Sequence, residues 1–181
     1  MKAYKLLSVL GLAIWMSACD NKQSLQEYYV ENQENKEFVA IDVPASLLTN
    51  SEVLDVNQKK TLETIKKINV LAIPEKAANK EKIETEKSNI TEILKDEKYQ
   101  LLMRFGGGES RVEVYFTGAE EAVDEIIVFG FDDHKGMGIA RVLGDDMNPS
   151  DIISMVKSFK EGDINIDGLS QITQMFGDTI K

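Results

Sequence analysis

Apolar and polar positions in the first half of the chain predict two strands with a helix between them. Residues 38–43 alternate between apolar and polar side chains and stop before a proline, which is typical of a strand. Apolar residues then recur at helical spacing over residues 62–68. Residues 68–73 form a largely apolar run that ends at a second proline, which predicts another strand. A strand, a helix and a strand in this order predict a βαβ crossover, whose strands are usually parallel.

The second half of the chain changes to strands joined by tight turns. After an amphipathic helix over residues 80–97, four segments predict an antiparallel four-strand meander: 99–105, 111–116, 125–131 and 137–143. Asn148-Pro149 then places an N-cap before a proline at the first helical position, which predicts a further helix. The elements together predict an α+β fold with helices packed on one face of a mainly antiparallel sheet.

A short apolar segment at the amino terminus ends in a lipobox. Two lysines precede an apolar stretch of eleven residues, 6–16. A membrane-spanning helix needs about 20 apolar residues, so this stretch has the length of a signal-peptide core. Ser17 and Ala18 supply small residues, and Cys19, the only cysteine in the chain, follows at once. We therefore expect acyl chains such as palmitate on Cys19. An ordinary secretory signal cut near Ala18 and an uncleaved anchor are the alternatives.

These features divide the chain into four parts. Residues 1–18 are predicted to be a lipoprotein signal peptide, and residues 19–36 the lipidated cysteine and a polar tether. A capping-box pattern within that tether predicts a short helix there. Residues 37–160 are predicted to form the α+β domain, and residues 161–181 a C-terminal amphipathic helix or tail.

The charge and the rare residue types exclude several classes of function. Removal of residues 1–18 leaves 19 basic against 31 acidic residues, a net charge of −12. Binding to nucleic acid depends largely on neutralising phosphates with basic residues, so we expect no nucleic-acid partner. Zinc sites draw mainly on cysteine and histidine, and His134 is the only histidine. We expect no cofactor, no zinc site and no nucleophilic triad.

Cys19 and several segments after it occur in an order that is characteristic of a known family. The segments are residues 38–44, 68–73, 99–105, 123–129 and 144–152. In this order they resemble the DUF4252 family of small Bacteroidetes lipoproteins with no assigned function. The resemblance implies an envelope lipoprotein, which we expect at the periplasmic face of the outer membrane, with surface exposure as the alternative. It implies no catalytic residues.

One loop resembles part of a calcium site. Asp163, Asn165 and Asp167, followed by Gly168, have the spacing of the first half of an EF-hand loop. The twelfth position is Gln174, which cannot supply the bidentate carboxylate that closes such a site. These residues are therefore weak calcium candidates, and a helix N-cap at Asp167 is the alternative.

Other polar motifs have simpler interpretations. Gly106-Gly107-Gly108 precedes a predicted strand, whereas a phosphate-binding loop leads into a helix, so we predict a hairpin turn. Asp132-Asp133-His134-Lys135 is predicted to be a solvated hairpin tip. The acidic pairs Glu120-Glu121 and Asp145-Asp146 are predicted to be solvated turns.

Three functions remain compatible with the sequence. The first is a non-catalytic envelope lipoprotein that binds a protein partner or supports an envelope structure. Alternation of side chains suggests a contact surface on an exposed sheet face, with Arg104, Arg111, Glu113 and Tyr115. The alternatives are a lipoprotein that binds a small ligand or calcium, and an enzyme whose carboxylates converge only in three dimensions.

Overall fold

The computed structural model describes residues 22–45 and 54–158 of the 181-residue chain. The predicted signal peptide, the predicted acylation site Cys19 and the predicted C-terminal segment of residues 161–181 lie outside these residues.

The described residues form four helices and six strands. The helices are α1 (Leu25–Asn32), α2 (Val56–Glu63), α3 (Lys80–Ile93) and α4 (Pro149–Ser158). The strands are β1 (Val39–Pro44), β2 (Ile65–Pro74), β3 (Gln100–Gly107), β4 (Ser110–Ala119), β5 (Ala122–Asp132) and β6 (Gly136–Met147). The α+β class predicted from the sequence is confirmed.

All six strands belong to one antiparallel sheet with the order β1-β2-β6-β5-β4-β3. The predicted meander corresponds to β3–β6, but the sheet is larger than four strands because β2 joins β6 and β1 joins β2. The predicted parallel βαβ crossover is wrong, since β1 and β2 are antiparallel neighbours. Helix α2 has eight residues, so it is about 12 Å long at 1.5 Å per residue. The chain enters β2 one residue after this helix.

Helices cover both faces of the sheet, which corrects the prediction of a single covered face. We call them the α1/α3 face and the α2/α4 face. Along β5, Ile127 and Phe129 pack into a buried cluster with α1 and α3, whereas Ile126 packs into a second cluster with α2 and α4. Successive side chains of a strand point to opposite faces. The two clusters therefore lie on opposite sides of the sheet, and the fold has three layers.

Helix α1 is part of the folded domain. Its side chains Leu25, Tyr28 and Tyr29 are buried in the cluster on the α1/α3 face. The backbone N–H of Leu25 donates a hydrogen bond to the hydroxyl of Tyr99, at 3.2 Å. The structure therefore moves the start of the folded domain from residue 37 to the beginning of this helix.

Local sequence signals fix the ends of the helices and the hairpins. Ser24 forms the predicted capping box with Glu27, and Asn148 caps α4 by accepting hydrogen bonds from the first backbone N–H groups of that helix. Gly106 ends β3 with a φ of 74°, and a Cβ there would lie 2.5 Å from the backbone oxygen of Ser110. The glycine-rich segment is therefore the predicted hairpin turn, at a position where only glycine fits.

Candidate functional site

The four residues proposed from alternation lie together on the α1/α3 face. Arg111, Glu113 and Tyr115 alternate along β4, and Arg104 lies opposite Glu113 on β3. We call these four residues the β3–β4 patch. The register confirms that these residues share a face. The prediction that this face is exposed is correct only for Arg104, since Arg111 and Tyr115 are half-buried and Glu113 is buried.

Glu113 lies at the centre of the β3–β4 patch. Its Oε1 accepts a hydrogen bond from Nε of Arg104 at 2.7 Å and lies 3.6 Å from Nη1 of Arg111. Its Oε2 accepts a hydrogen bond from the hydroxyl of Tyr115 at 2.7 Å. Two guanidinium groups therefore share one carboxylate, and the patch carries one positive charge in excess.

The side chains of both arginines reach the solvent, since Arg104 is 50% and Arg111 is 38% exposed. The side chain of Glu113 is 9% exposed. Nε of Arg111 is buried without an acceptor, and the guanidinium carbon lies 5.8 Å from the centre of the Phe131 ring. Arginine presents five N–H donors in a planar fork that matches a carboxylate. The patch can therefore accept a further anion beside Glu113.

The tyrosine of the patch is held in its neutral form. Partial burial, together with the hydrogen bond to Glu113, raises the pKa of Tyr115 to about 12. Its hydroxyl is thus a stable donor to Glu113 at neutral pH, and it helps to fix the orientation of that carboxylate.

All three arginines of the chain lie on this one face. The third is Arg141 of β6, which pairs in the sheet with Ile127 of β5. Ile127 pairs in turn with Tyr115 of β4, so Arg141 shares the face of the β3–β4 patch. Arg141 donates to Oε1 of Glu125 at 2.5 Å and to the side chain of Gln26 on α1 at 2.8 Å. Helix α1 therefore covers Arg141, whereas Arg104 of the β3–β4 patch is 50% exposed.

The strand that borders the patch is exposed. Leu101, Leu102 and Phe105 of β3 are 46%, 37% and 41% exposed, and they account for three of the five large exposed apolar side chains in the described residues. Within those residues β3 pairs only with β4, so its outer edge presents unpaired backbone groups.

The other edge of the sheet is better protected. Strand β1 has six residues, ends in Pro44, and carries Asp42. The hydroxyl of Tyr29 on α1 donates to Asp42 at 2.9 Å, and the side-chain amide of Asn69 donates to the same carboxylate. Short length, proline and charge are the usual protections of an edge strand.

The remaining sequence candidates do not form a site in the described residues. His134 lies in an exposed turn, with its Nε2 3.8 Å from Glu109, which fits the predicted hairpin tip. Asp145 and Asp146 are exposed but form part of β6, so the prediction of a turn is wrong there. Across residues 22–45 and 54–158, no group of three or more acidic, histidine or cysteine side chains could hold a metal ion. The calcium candidates Asp163, Asn165 and Asp167 lie outside the described residues.

Two concave regions were also candidates for a small ligand. One is a cavity of about 30 Å³ between α3 and Phe131, a volume that suits a single water molecule. The other is an open groove of about 540 Å³ between α2 and α4. Two of its polar groups are already used, because Asp55 caps α2 and Asn148 caps α4. Neither region brings together free polar groups that point to a ligand.

A buried polar cluster under α1 was not predicted from the sequence. Glu86 of α3 is buried, and its carboxylate accepts hydrogen bonds from the Tyr28 hydroxyl at 2.8 Å and from Asn89 at 3.1 Å. Lys82 forms an ion pair with it at 2.6 Å. Burial alone would raise the pKa of Glu86. The hydrogen bonds and the ion pair outweigh burial and hold this pKa below its usual value. The only sequence signal was a glutamate on the apolar stripe of an otherwise regular helix.

The fold and the patch define a class of protein: an α+β domain with a six-stranded antiparallel sheet, helices on both faces and one open edge. Residues 28–155 match the family described as Domain of unknown function (DUF4252), so the chain belongs to that family. No curated protein and no solved structure matches the chain. No helix within residues 22–45 and 54–158 has the length and apolar character needed to cross a membrane.

Proposed function

We propose that this protein is a lipid-anchored envelope lipoprotein whose folded domain binds another protein without catalysis. The proposed anchor is Cys19, and the proposed binding surface is the β3–β4 patch together with the open edge of β3. The observation that carries the binding proposal is the contrast within one sheet face. Both glutamates are largely buried, but Arg141 is 6% exposed under α1, whereas Arg104 is 50% exposed beside exposed apolar side chains.

The arrangement of polar groups supports binding over acid–base chemistry. Glu113 is engaged by Arg104 and by Tyr115, so it is held as a hydrogen-bonded carboxylate. Arginine and tyrosine are enriched in protein–protein interfaces, where they pair planar donors with apolar contact area. An exposed apolar strand beside them supplies the contact area that a partner would bury.

The anchor can be tested by labelling in cells. The full chain should incorporate labelled palmitate, and Cys19→Ser should lose the label because the acceptor sulfur is gone. Mass spectrometry of the mature amino terminus should show an acylated Cys19 and no residues before it. A bare thiol, an intact leader or continued labelling of the serine variant would contradict the anchor.

The binding surface can be tested by photocrosslinking in intact cells. A photoreactive amino acid at Leu102 should yield one dominant adduct of fixed stoichiometry. The matched control is the same amino acid at Val56, which is also exposed but lies on α2 on the opposite side of the sheet. Adducts of equal yield from both positions, or none from Leu102, would contradict the proposal.

A further inference from the structure

We propose that the β3 edge accepts an extended segment of an acidic partner protein, which adds to the sheet as a further strand with its carboxylates facing the β3–β4 patch. This inference rests on the proposed function, because it specifies the chemistry of the partner at the same surface. Strand addition of this kind takes its affinity from backbone hydrogen bonds and its specificity from alternate side chains.

The geometry of β3 suits strand addition. The strand has eight residues, which span about 26 Å at 3.3 Å per residue. It contains neither proline nor lysine, residues that commonly protect an edge. Its pairing with β4 shifts register between Leu101 and Met103, so the regular part of the edge begins at Met103. Its last two residues are glycines, which add no side chains that would obstruct an incoming backbone.

The charge of the patch selects an acidic partner. Arg104 donates from its Nε to Glu113 and also interacts with the Tyr115 hydroxyl, and its side chain remains 50% exposed. Arg111 lies nearby with its Nη1 3.6 Å from Glu113, and its side chain is 38% exposed. The chain is acidic overall, with a net charge of −10. The negative net charge repels an acidic partner, but salt screens this repulsion beyond about 8 Å at physiological ionic strength. The local excess of positive charge therefore decides which side chains fit here.

The side chains on the two faces of β3 favour a partner segment with alternating acidic and apolar residues. Arg104 is opposite Glu113 on the α1/α3 face, whereas Phe105 is opposite Val112, whose side chain lies on the α2/α4 face. A strand paired with β3 would place alternate side chains on these two faces. Acidic residues on one face and apolar residues on the other would therefore match Arg104 and Phe105 at once.

A second copy of this chain fits the edge less well. Antiparallel pairing of β3 with the same strand of another copy would bring no carboxylate to Arg104, since Gln100–Gly107 contains no acidic residue. Pairing of β3 with itself therefore leaves Arg104 without a complementary charge. Dimerisation of the chain through this edge would overturn the inference.

The test uses a defined peptide and the full chain in detergent micelles. The probe is a fluorescently labelled, end-blocked peptide with the sequence Thr-Val-Glu-Val-Glu-Val-Thr. Its binding is followed by anisotropy, and hydrogen exchange with mass spectrometry locates it. We expect saturable binding, with new protection of the β3 amides and none at β1.

Matched controls separate the backbone contribution from the charge contribution. A peptide N-methylated at alternate residues should not bind, because it cannot pair with a strand edge. A glutamine-for-glutamate peptide should bind about tenfold more weakly, as should Arg104→Gln with the original peptide, since each removes a charge-assisted contact. Lys59→Gln removes an exposed positive charge on α2 and should leave the affinity unchanged.

Several results would overturn the inference. They are equal binding of the N-methylated peptide, equal binding of the glutamine peptide, absence of binding by the original peptide, and outward-facing β3 amides that are already protected in the free chain. Concentration-dependent dimerisation that protects β3 would assign the edge to a second copy and overturn it as well. If the cellular adduct at Leu102 persists in any of these cases, only this inference fails. If that adduct is also absent, the proposed function fails with it.

Discussion

The two Arg–Glu pairs on the α1/α3 face use the same chemistry in different surroundings. Arg141 and Glu125 are 6% and 13% exposed and lie under Gln26 of α1. Arg104 and Glu113 are 50% and 9% exposed and lie beside an open sheet edge. In the covered pair, removal of one partner leaves a buried charge. In the open pair, loss of Arg104 leaves Glu113 with the Tyr115 hydroxyl and with Arg111 at 3.6 Å.

This difference separates a structural role from a binding role. Breaking a buried ion pair costs about 3–5 kcal/mol because the remaining charge has no compensation. An exposed pair contributes only about 0–1 kcal/mol. The covered pair should therefore matter mainly for stability, and the open pair mainly for contact with a partner.

The largest effect is expected at Arg141. Arg141→Met should lower the free energy of unfolding by about 3 kcal/mol, since Glu125 would remain buried without its cation. Chemical denaturation at pH 7 measures the change. The control is the double variant Arg141→Met with Glu125→Leu, which removes both charges and should recover most of the loss. A single variant as stable as the original chain would show that the covered pair has no structural role.

A smaller loss is expected at the buried cluster that attaches α1. Glu86→Gln should lower the free energy of unfolding by about 2 kcal/mol, because it weakens a charge-assisted hydrogen bond and an ion pair. Tyr28→Phe, which removes only the hydroxyl, should cost about 1 kcal/mol. Protection of the α1 amides from hydrogen exchange should fall in both variants. Unchanged protection would mean that other contacts hold the helix.

The same cluster predicts a dependence on acid pH. Because hydrogen bonds from Lys82, Tyr28 and Asn89 outweigh burial, the pKa of Glu86 is lower in the folded state than its usual value. The folded state therefore binds this proton less readily than the unfolded state does. The stabilisation is present above a pH of about 4.5 and is lost as the pH falls through the folded pKa. The stability difference between the original chain and Glu86→Gln should shrink over this range, and a constant difference would contradict the assignment.

At the open pair the expected change in stability is small. Arg104→Met should lower the free energy of unfolding by less than about 1 kcal/mol, since Arg104 is half exposed and Glu113 keeps Tyr115 and Arg111 as partners. The same variant should reduce the yield of the Leu102 adduct in cells severalfold. A loss of stability as large as that of Arg141→Met would remove the distinction between the two pairs.

The smallest effect is expected at Tyr115. Its folded pKa of about 12 lies above the usual value of about 10, so its contribution to stability is complete below pH 10 and is lost as the pH rises through 12. Burial raises the pKa of Tyr28 and Tyr29 further still. Ultraviolet titration should therefore show a step near pH 12 that precedes the ionisation of these two residues, and Tyr115→Phe should remove that step. If the step near pH 12 remains in the variant, it does not belong to Tyr115.

The strands and most helix starts could be predicted because their signals are local. Alternation located β4, and the Ser24 capping box and Asn148-Pro149 located two helix starts. The grouping of Arg104 with Glu113 also followed from alternation in two strands joined by a short hairpin. Each of these depends on contacts between residues that are close in sequence.

The long-range features could not be predicted in the same way. The antiparallel pairing of β1 with β2 depends on how α2 returns the chain, and the sequence pattern of a strand, a helix and a strand is identical for either direction. The sequence does contain a signal for helices on both faces of the sheet. Ile126–Phe129 is apolar at every position, which is typical of a strand buried on both faces. The Tyr28–Glu86 contact joins residues 58 positions apart, and no local rule brings them together.

Hydrogen exchange of the two edge strands, compared between purified protein and isolated envelopes, distinguishes a bound edge from a free one. The outward-facing amides of Gln100–Gly107, which do not pair with β4, should exchange rapidly in the purified full chain and become protected in the envelope, while those of Val39–Pro44 should exchange equally in both. Equal exchange of β3 in the two preparations would contradict the claim that this edge is a binding surface.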